Sequence, residues 1–209
     1  MAALLVHASA AFLVTIDPVG VATIFFGLAS GRGRAERRHL ALTGVLVAAG
    51  VLYVFALGGA ALLGVLGISL AAFRIAGGAL LFLLAIDMVL ARPSGLRAMT
   101  KSEDAEAHHR HDIAVFPLAI PLIAGPGAIA STMLLMGEAR DWLERGAVLG
   151  VLALVLIATY FALRAAGALS RLLGVTGSNV VGRVLGIVLA ALAVQFMLDG
   201  IGAVLSAKS

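Results

Sequence analysis

The chain is patterned in long apolar blocks separated by short polar ones. A helix that crosses the hydrocarbon of a bilayer needs roughly 20 mostly apolar residues. Six blocks meet that length: about Ala2–Ala29, Leu40–Leu66, Ser69–Leu90, Ile113–Gly137, Gly146–Leu173 and Val180–Leu205. One extended polar stretch, 91–112, divides them three and three. The pattern predicts an all-α membrane protein with six transmembrane helices in three parts: a three-helix unit over 1–90, a hydrophilic loop over 91–112 and a second three-helix unit over 113–209. The first block has no Lys or Arg ahead of it and runs on past Asp17-Pro18. A signal peptide has a basic start and a shorter apolar core, so this block reads as the first span.

Composition changes the picture mainly by naming the solvent. Of 209 residues, 62% are hydrophobic and only 12% charged, more apolar than water-soluble domains, which sit near half. The absence of cysteine excludes disulfides, thiolate chemistry and Cys-based zinc sites. Eleven of the 15 Lys and Arg (Arg32, Arg34, Arg37, Arg38, Arg92, Arg97, Lys101, Arg110, Arg164, Arg171 and Arg183) fall on links 1–2, 3–4 and 5–6. The positive-inside rule assigns that face to the cytoplasm and leaves both termini outside. The net charge of +4 is then a matter of topology. It lacks the basic stripe interleaved with aromatics that marks a nucleic-acid binder. Membrane lipid is the expected partner, with Arg32–Arg38 beside anionic headgroups.

The two units resemble each other. Asp17-Pro18-Val19-Gly20 aligns with Gly125-Pro126-Gly127-Ala128 at an offset of 108, and Arg74-Ile75-Ala76-Gly77 aligns with Arg183-Val184-Leu185-Gly186 at an offset of 109. With three spans per unit, the second unit must run inverted through the membrane, a geometry that recurs in secondary transporters.

Four of the five prolines lie in blocks one and four: Pro18, then Pro117, Pro121 and Pro126. Proline removes a backbone donor and breaks a helix, and freed backbone groups in hydrocarbon must find partners or line a wet cavity. Helices 1 and 4 are therefore expected to be discontinuous, the strongest sequence pointer to a transporter binding site. The half-helix after a break exposes N–H groups that suit a carboxylate. The carbonyls before it suit an ammonium or a small cation, so a zwitterionic amino acid matches both. Candidate site residues are Asp17, Pro18, Gly20 and Thr23 at the first break and Gly125, Pro126, Gly127 and Ser131 at the second; Thr15 and Thr132 flank them. Asp17 serves two readings, capping the second half-helix or contacting a ligand or ion. Candidates for ion coupling, to H⁺ or Na⁺, are Asp17, Asp87, Gln195 and Asp199, because polar groups inside a membrane are costly.

Other chemistry is not expected. His108, His109 and His111 with Asp112 form a short patch without a further ligand group at fixed spacing, and read as solvated loop rather than a metal site. There is no nucleophile–base pair, P-loop or dinucleotide fingerprint, which speaks against an enzyme, an ATP-driven pump or an organic cofactor. Gly146-x-x-x-Gly150 and Gly182-x-x-x-Gly186 are small-residue motifs for close helix packing, within one chain or between copies in an oligomer.

Two stretches resemble the MarC family of bacterial inner-membrane proteins, also described as small neutral amino acid transporters. Asp17-Pro18-Val19-Gly20 is similar to its Asn/Asp-Pro-x-Gly in the first helix, and Phe116-Pro117-Leu118-Ala119-Ile120-Pro121-Leu122-Ile123-Ala124-Gly125-Pro126-Gly127-Ala128-Ile129 to its fourth-helix signature. The resemblance covers essentially the whole chain. It implies two inverted three-helix repeats with unwound first and fourth helices, and a site around Asp17, Pro18, Gly20, Gly125, Pro126 and Gly127. The expected function is a secondary carrier of glycine-, alanine- or serine-like amino acids across the bacterial inner membrane. The alternative is a membrane protein without transport activity, or a channel; antibiotic efflux is not expected from so few aromatics.

Overall fold

A computed structural model describes residues 1–90 and 113–206, and every regular element among them is helical. The elements are α1 (Ala2–Ile16), α2 (Pro18–Leu28), α3 (Arg34–Val65), α4 (Leu70–Leu90), α5 (Ala114–Ile123), α6 (Pro126–Glu138), α7 (Trp142–Arg164) and α8 (Ala166–Ser206). Five stretches are long and apolar enough to cross a membrane: Ala2–Leu28, Arg34–Val65, Leu70–Leu90, Trp142–Arg164 and Thr176–Ser206. A sixth is added if α5 and α6, bent by 55°, count as one span. The protein is thus an all-helical, multi-pass membrane protein. Its outer surface agrees, since Val6, Val54, Leu57 and Leu154 are each about two-thirds exposed or more, a density of bare apolar side chains that only lipid tolerates. The 91–112 loop and its His108–Asp112 patch lie outside the described residues.

The ends of two spans differ from expectation. The fifth was expected to run to Leu173, but α7 stops at Arg164 and α8 begins two residues later, interrupted once at Gly174 (φ 58°, ψ −171°). The link between the two spans thus covers 165–175, earlier than the polar stretch before Val180. No Gly or Pro marks that stop. Arg164 in the last turn, favourable beside the negative helix end, is the one signal there, and the Ala- and Leu-rich run beyond it hides the break from hydropathy. At the other end of the scale α3 spans 32 residues, about 48 Å at 1.5 Å per residue. That exceeds a hydrocarbon core of about 30 Å, so its Arg-bearing first turns stand outside it, where Arg32 pairs with Glu36.

The spans interlock. The α1–α2 pair packs on α7 and α8, whereas the α5–α6 pair packs on α3 and α4; α3 also meets α7. The two pairs touch each other with α1 against α6 and α2 against α5. The first half of one meets the second half of the other, as antiparallel neighbours do. One continuous core results, with Phe12, Phe25, Leu52, Leu118, Leu134, Leu152 and Phe196 fully buried.

The most extensive helix contact is α4 on α8. In lipid no hydrophobic gain separates helix–helix from helix–lipid contact, so close backbone approach has to supply the attraction. A Cβ on Gly78 would lie 2.7 Å from the Ala193 carbonyl oxygen and 2.6 Å from Met197 Cγ; one on Gly200 would lie 2.9 Å from the Ala71 carbonyl oxygen. Of the glycine motifs noted in the sequence, only Gly186 joins this seam, against Met88 and Val89, while Gly146, Gly150 and Gly182 face open space. Replacing Gly78 by leucine should destabilise the fold by about 1–3 kcal/mol, the usual cost of overpacking. Gly146→Leu should not. Unfolding of the two variants in detergent, followed by loss of helical circular dichroism, checks this.

Candidate functional site

The first break is one residue long. Asp17 adopts the left-handed conformation (φ 50°, ψ 70°) between α1 and α2. Asp is among the few residues other than glycine that visit this region readily, because its short polar side chain bonds locally. The accounting of polar groups then closes almost entirely within the chain. The Asp17 N–H donates to the Leu13 carbonyl at 3.0 Å, and the Asp17 carbonyl accepts from Val21 N–H at 3.0 Å. Pro18 at N1 has no N–H to satisfy. The Gly20 N–H donates to Asp17 Oδ1 at 3.0 Å. Asp17 is buried, at 4% exposure, and sits so close over Gly20 that a Cβ there would lie 2.2 Å from Oδ2.

The second break is wider than Gly125-Pro126-Gly127. Irregularity begins nine residues earlier: α5 is wound in wide, π-type turns, with Phe116 (φ −130°, ψ 124°) and Ile120 (φ −129°, ψ 123°) extended, and both following X–Pro bonds are cis. A residue before proline avoids the helical region, and two such residues four apart keep α5 from closing regular turns. Leu118 N–H reaches back to Ile113 and Ala124 N–H to Ala119, at 3.2 and 2.8 Å. Gly125 is extended (φ −76°, ψ 171°) and α6 starts with Pro126 at N1 and no side-chain cap. A Cβ on Gly125 would meet the Pro121 carbonyl oxygen at 2.5 Å.

The flanking hydroxyls divide into two kinds. Thr15, Thr23 and Thr132 donate to the carbonyls of Ala11, Val19 and Ala128 at 2.7, 2.8 and 2.7 Å, the turn-back bond that satisfies a hydroxyl within its own helix. Thr23 Oγ1 also lies 3.2 Å from Ser178 Oγ on α8, a partner the sequence did not suggest. Ser131 is fully buried, and its hydroxyl has no hydrogen-bond partner among the described residues.

The remaining ion-coupling candidates do not form one cluster. Gly200 rests on Ala71 and Arg74 near the start of α4, and Gly186 on Met88 and Val89 near its end. Asp199 and Asp87 are therefore held at opposite ends of α4, about 20 Å apart for 13 residues of helix. Gln195 is exposed and donates to Asp199 Oδ1 at 2.7 Å within its own helix rather than across helices. Two ionisable groups that sequence reading passed over are close partners: His7 Nδ1 on α1 lies 3.4 Å from Glu138 Oε2 at the end of α6, and the His7 ring stacks on Phe196 at 5.2 Å. A histidine inside the first apolar block was itself the signal that could have found this pair.

Among the described residues, two cavities lie away from the breaks. One, of about 500 Å³, is largely apolar, between Leu63, Ile68, Met133, Met136 and Trp142. The other, of about 520 Å³, is bordered by Met1, His7, Arg74, Glu138, Arg140 and Glu144. Among the described residues no group of three or more His, Asp or Glu side chains is placed to hold a metal ion.

With this geometry in place, comparison with known proteins is direct. The family model described as MarC family integral membrane protein matches residues 2–205, and the chain belongs to that family. It is 36% identical to the UPF0056 membrane protein MJ1677 of Methanocaldococcus jannaschii, over 89% of this chain and 90% of that one. It is 31% identical to YvbG of Bacillus subtilis, over 96% and 95%, and 31% identical to the inner membrane protein MarC of Escherichia coli, over 88% of each. No solved structure matches the chain.

Because Asp17 supplies both the left-handed residue and the cap, the two roles can be separated. Asp17→Asn keeps an acceptor oxygen and a residue tolerant of positive φ, and should leave stability nearly unchanged. Asp17→Ala loses both and should cost about 1–2 kcal/mol, read as a lower thermal midpoint of the purified protein.

Proposed function

We propose that this MarC family member is a secondary carrier of small neutral amino acids such as glycine, alanine and serine in the bacterial inner membrane. Coupling is to H⁺ or Na⁺, with the Arg-rich face cytoplasmic and both termini outside. In this reading the chain is two inverted three-helix repeats, 1–90 and 113–209, with discontinuous first and fourth spans. The pattern of contacts supports it. Exchanging span one with four, two with five and three with six maps the α1–α2 contacts on α7 and α8 onto the α5–α6 contacts on α3 and α4.

The observation that carries the reading is the buried Asp17 carboxylate at a left-handed break, in a span that packs antiparallel to the Pro- and Gly-broken pair α5–α6. The Ser131 hydroxyl, buried five residues past Pro126 without a partner, supplies a free polar group in the same region. Site backbone would come from Asp17, Pro18, Gly20, Gly125, Pro126 and Gly127, with Thr23 and Ser131 at the solute. Alternating access would rock the two broken spans against the rest.

A non-transporting membrane role is the competing reading, and one observation favours it. The backbone groups at the first break are satisfied by the chain itself, and neither of the two cavities described above is bordered by Asp17, Gly20 or Gly125–Gly127. A carrier caught between openings would look the same, so uptake has to decide. Proteoliposomes holding the purified protein should take up radiolabelled glycine and alanine saturably, and faster under an imposed H⁺ or Na⁺ gradient. Replacing Gly125-Pro126-Gly127 by alanines should abolish uptake, and Asp17→Asn should alter its dependence on the ion. Absence of uptake by folded protein under every gradient would leave the non-transporting reading.

A further inference from the structure

The polar cavity at the Met1 end of the bundle holds charges that the protein itself does not neutralise. Glu144 is committed: its carboxylate lies 3.5 Å from the Met1 amino group and accepts the Arg140 N–H at 2.9 Å. Glu138 is half committed, with Oε2 facing His7 while Oε1 is buried without a hydrogen-bond partner among the described residues. His7 Nε2 is in the same position. Arg74 is the most exceptional. Its Nε is buried without a partner, and no carboxylate pairs with it among the described residues.

A buried polar group left unpaired costs about 1–3 kcal/mol, and more when charged. Here the three residues that carry such atoms, on α1, α4 and α6, border one cavity of about 520 Å³, within the size range of small-molecule sites. A guanidinium presents a planar fork matched to a carboxylate. A carboxylate oxygen such as Glu138 Oε1 accepts from an ammonium. An inorganic anion would serve Arg74 but leave Glu138 half-paired, and a metal or amine cation would serve Glu138 but not Arg74. A ligand with both charges a few bonds apart serves both.

We propose that this cavity binds a small amino carboxylate as its zwitterion, with Arg74 holding the carboxylate and Glu138 the ammonium. The site is separate from the breaks: His7 stands ten residues before Asp17 and Glu138 thirteen after Gly125, about 15 and 20 Å of helix. It borders the outer half of both broken spans, where a solute would wait before passing between them. For its solute class the proposal rests on the reading above; for its location it does not.

The test is equilibrium binding of glycine and alanine to the purified full chain, by saturation-transfer NMR, with acetate and methylammonium as single-charge probes. Arg74→Gln and Glu138→Gln should each weaken glycine binding about tenfold to a hundredfold, the worth of one charged hydrogen-bond set. Arg74→Lys should recover part of the loss, and Arg145→Gln, which removes a positive charge at the same end outside this cavity, should bind as wild type does. Acetate and methylammonium should bind at least about tenfold more weakly than glycine. Three results would overturn the proposal: wild-type affinity in folded Arg74→Gln and Glu138→Gln proteins, acetate binding as well as glycine, or no binding to folded wild type. Uptake measured on the same proteins separates the two readings. Saturable uptake with binding indifferent to Arg74 sinks the cavity and leaves the carrier, whereas Arg74-dependent binding without uptake under any gradient sinks the carrier and leaves the cavity.

Discussion

Hydrocarbon offers no hydrogen bonds, and that constraint governs everything else in this fold. A helix meets it by closing each N–H on a carbonyl four residues back. Wherever the ladder stops, some other group has to take over. At Asp17 a single residue does so three times, with its N–H, its carbonyl and its side chain. At α5 there is no such residue, and the backbone widens into longer turns that reach from Leu118 to Ile113 and from Ala124 to Ala119. The two breaks solve one problem by different means, one by a side chain and one by backbone geometry.

The same absence of water removes the usual reason for helices to associate. What replaces it here is close approach along α4 and α8, where Gly78 and Gly200 let backbones come near enough that no side chain would fit. That seam joins spans from the two halves of the sequence. Because α1 and α2 pack on α7 and α8 while α5 and α6 pack on α3 and α4, neither half has a core of its own, and shifting one broken span shifts its contacts in the other half.

How much of this could be read from the sequence depends on which physical property carries each feature. The solvent and an all-helical fold of five to six candidate spans were legible, because hydrophobic length against bilayer thickness is a coarse match that few substitutions blur. Proline positions drew attention to two stretches where the backbone departs from regular helix, at Asp17 and ahead of Gly125, because a proline has no N–H to donate. The extent of the second one was not legible. Pro117 and Pro121 were conspicuous in the same block as Pro126, but nothing local showed that Phe116 and Ile120, each extended ahead of a proline, begin the irregular stretch nine residues before Gly125. The stop of α7 at Arg164 escaped notice because neither Arg164 nor Ala165 is Gly or Pro. Tertiary pairing left least trace: Thr23 with Ser178, and His7 with Glu138, join residues 155 and 131 positions apart, which no local pattern encodes.

The site shows the sharpest contrast between local and tertiary information. Asp17 drew attention because a carboxylate in an apolar block is conspicuous, yet folding gives that carboxylate structural work on the Gly20 N–H. Arg74 was read as one of the few basic residues on the outer face, a detail of topology. In the fold it is a guanidinium without an ion-pair partner among the described residues, on a polar cavity it shares with a half-paired glutamate. Charge counted along a chain says which side of a membrane a loop lies on. Charge left over after the chain has folded says where a ligand of opposite sign would gain most. In this protein the two kinds of accounting point to different residues, and the second depends on contacts among α1, α4 and α6 that only the assembled bundle creates.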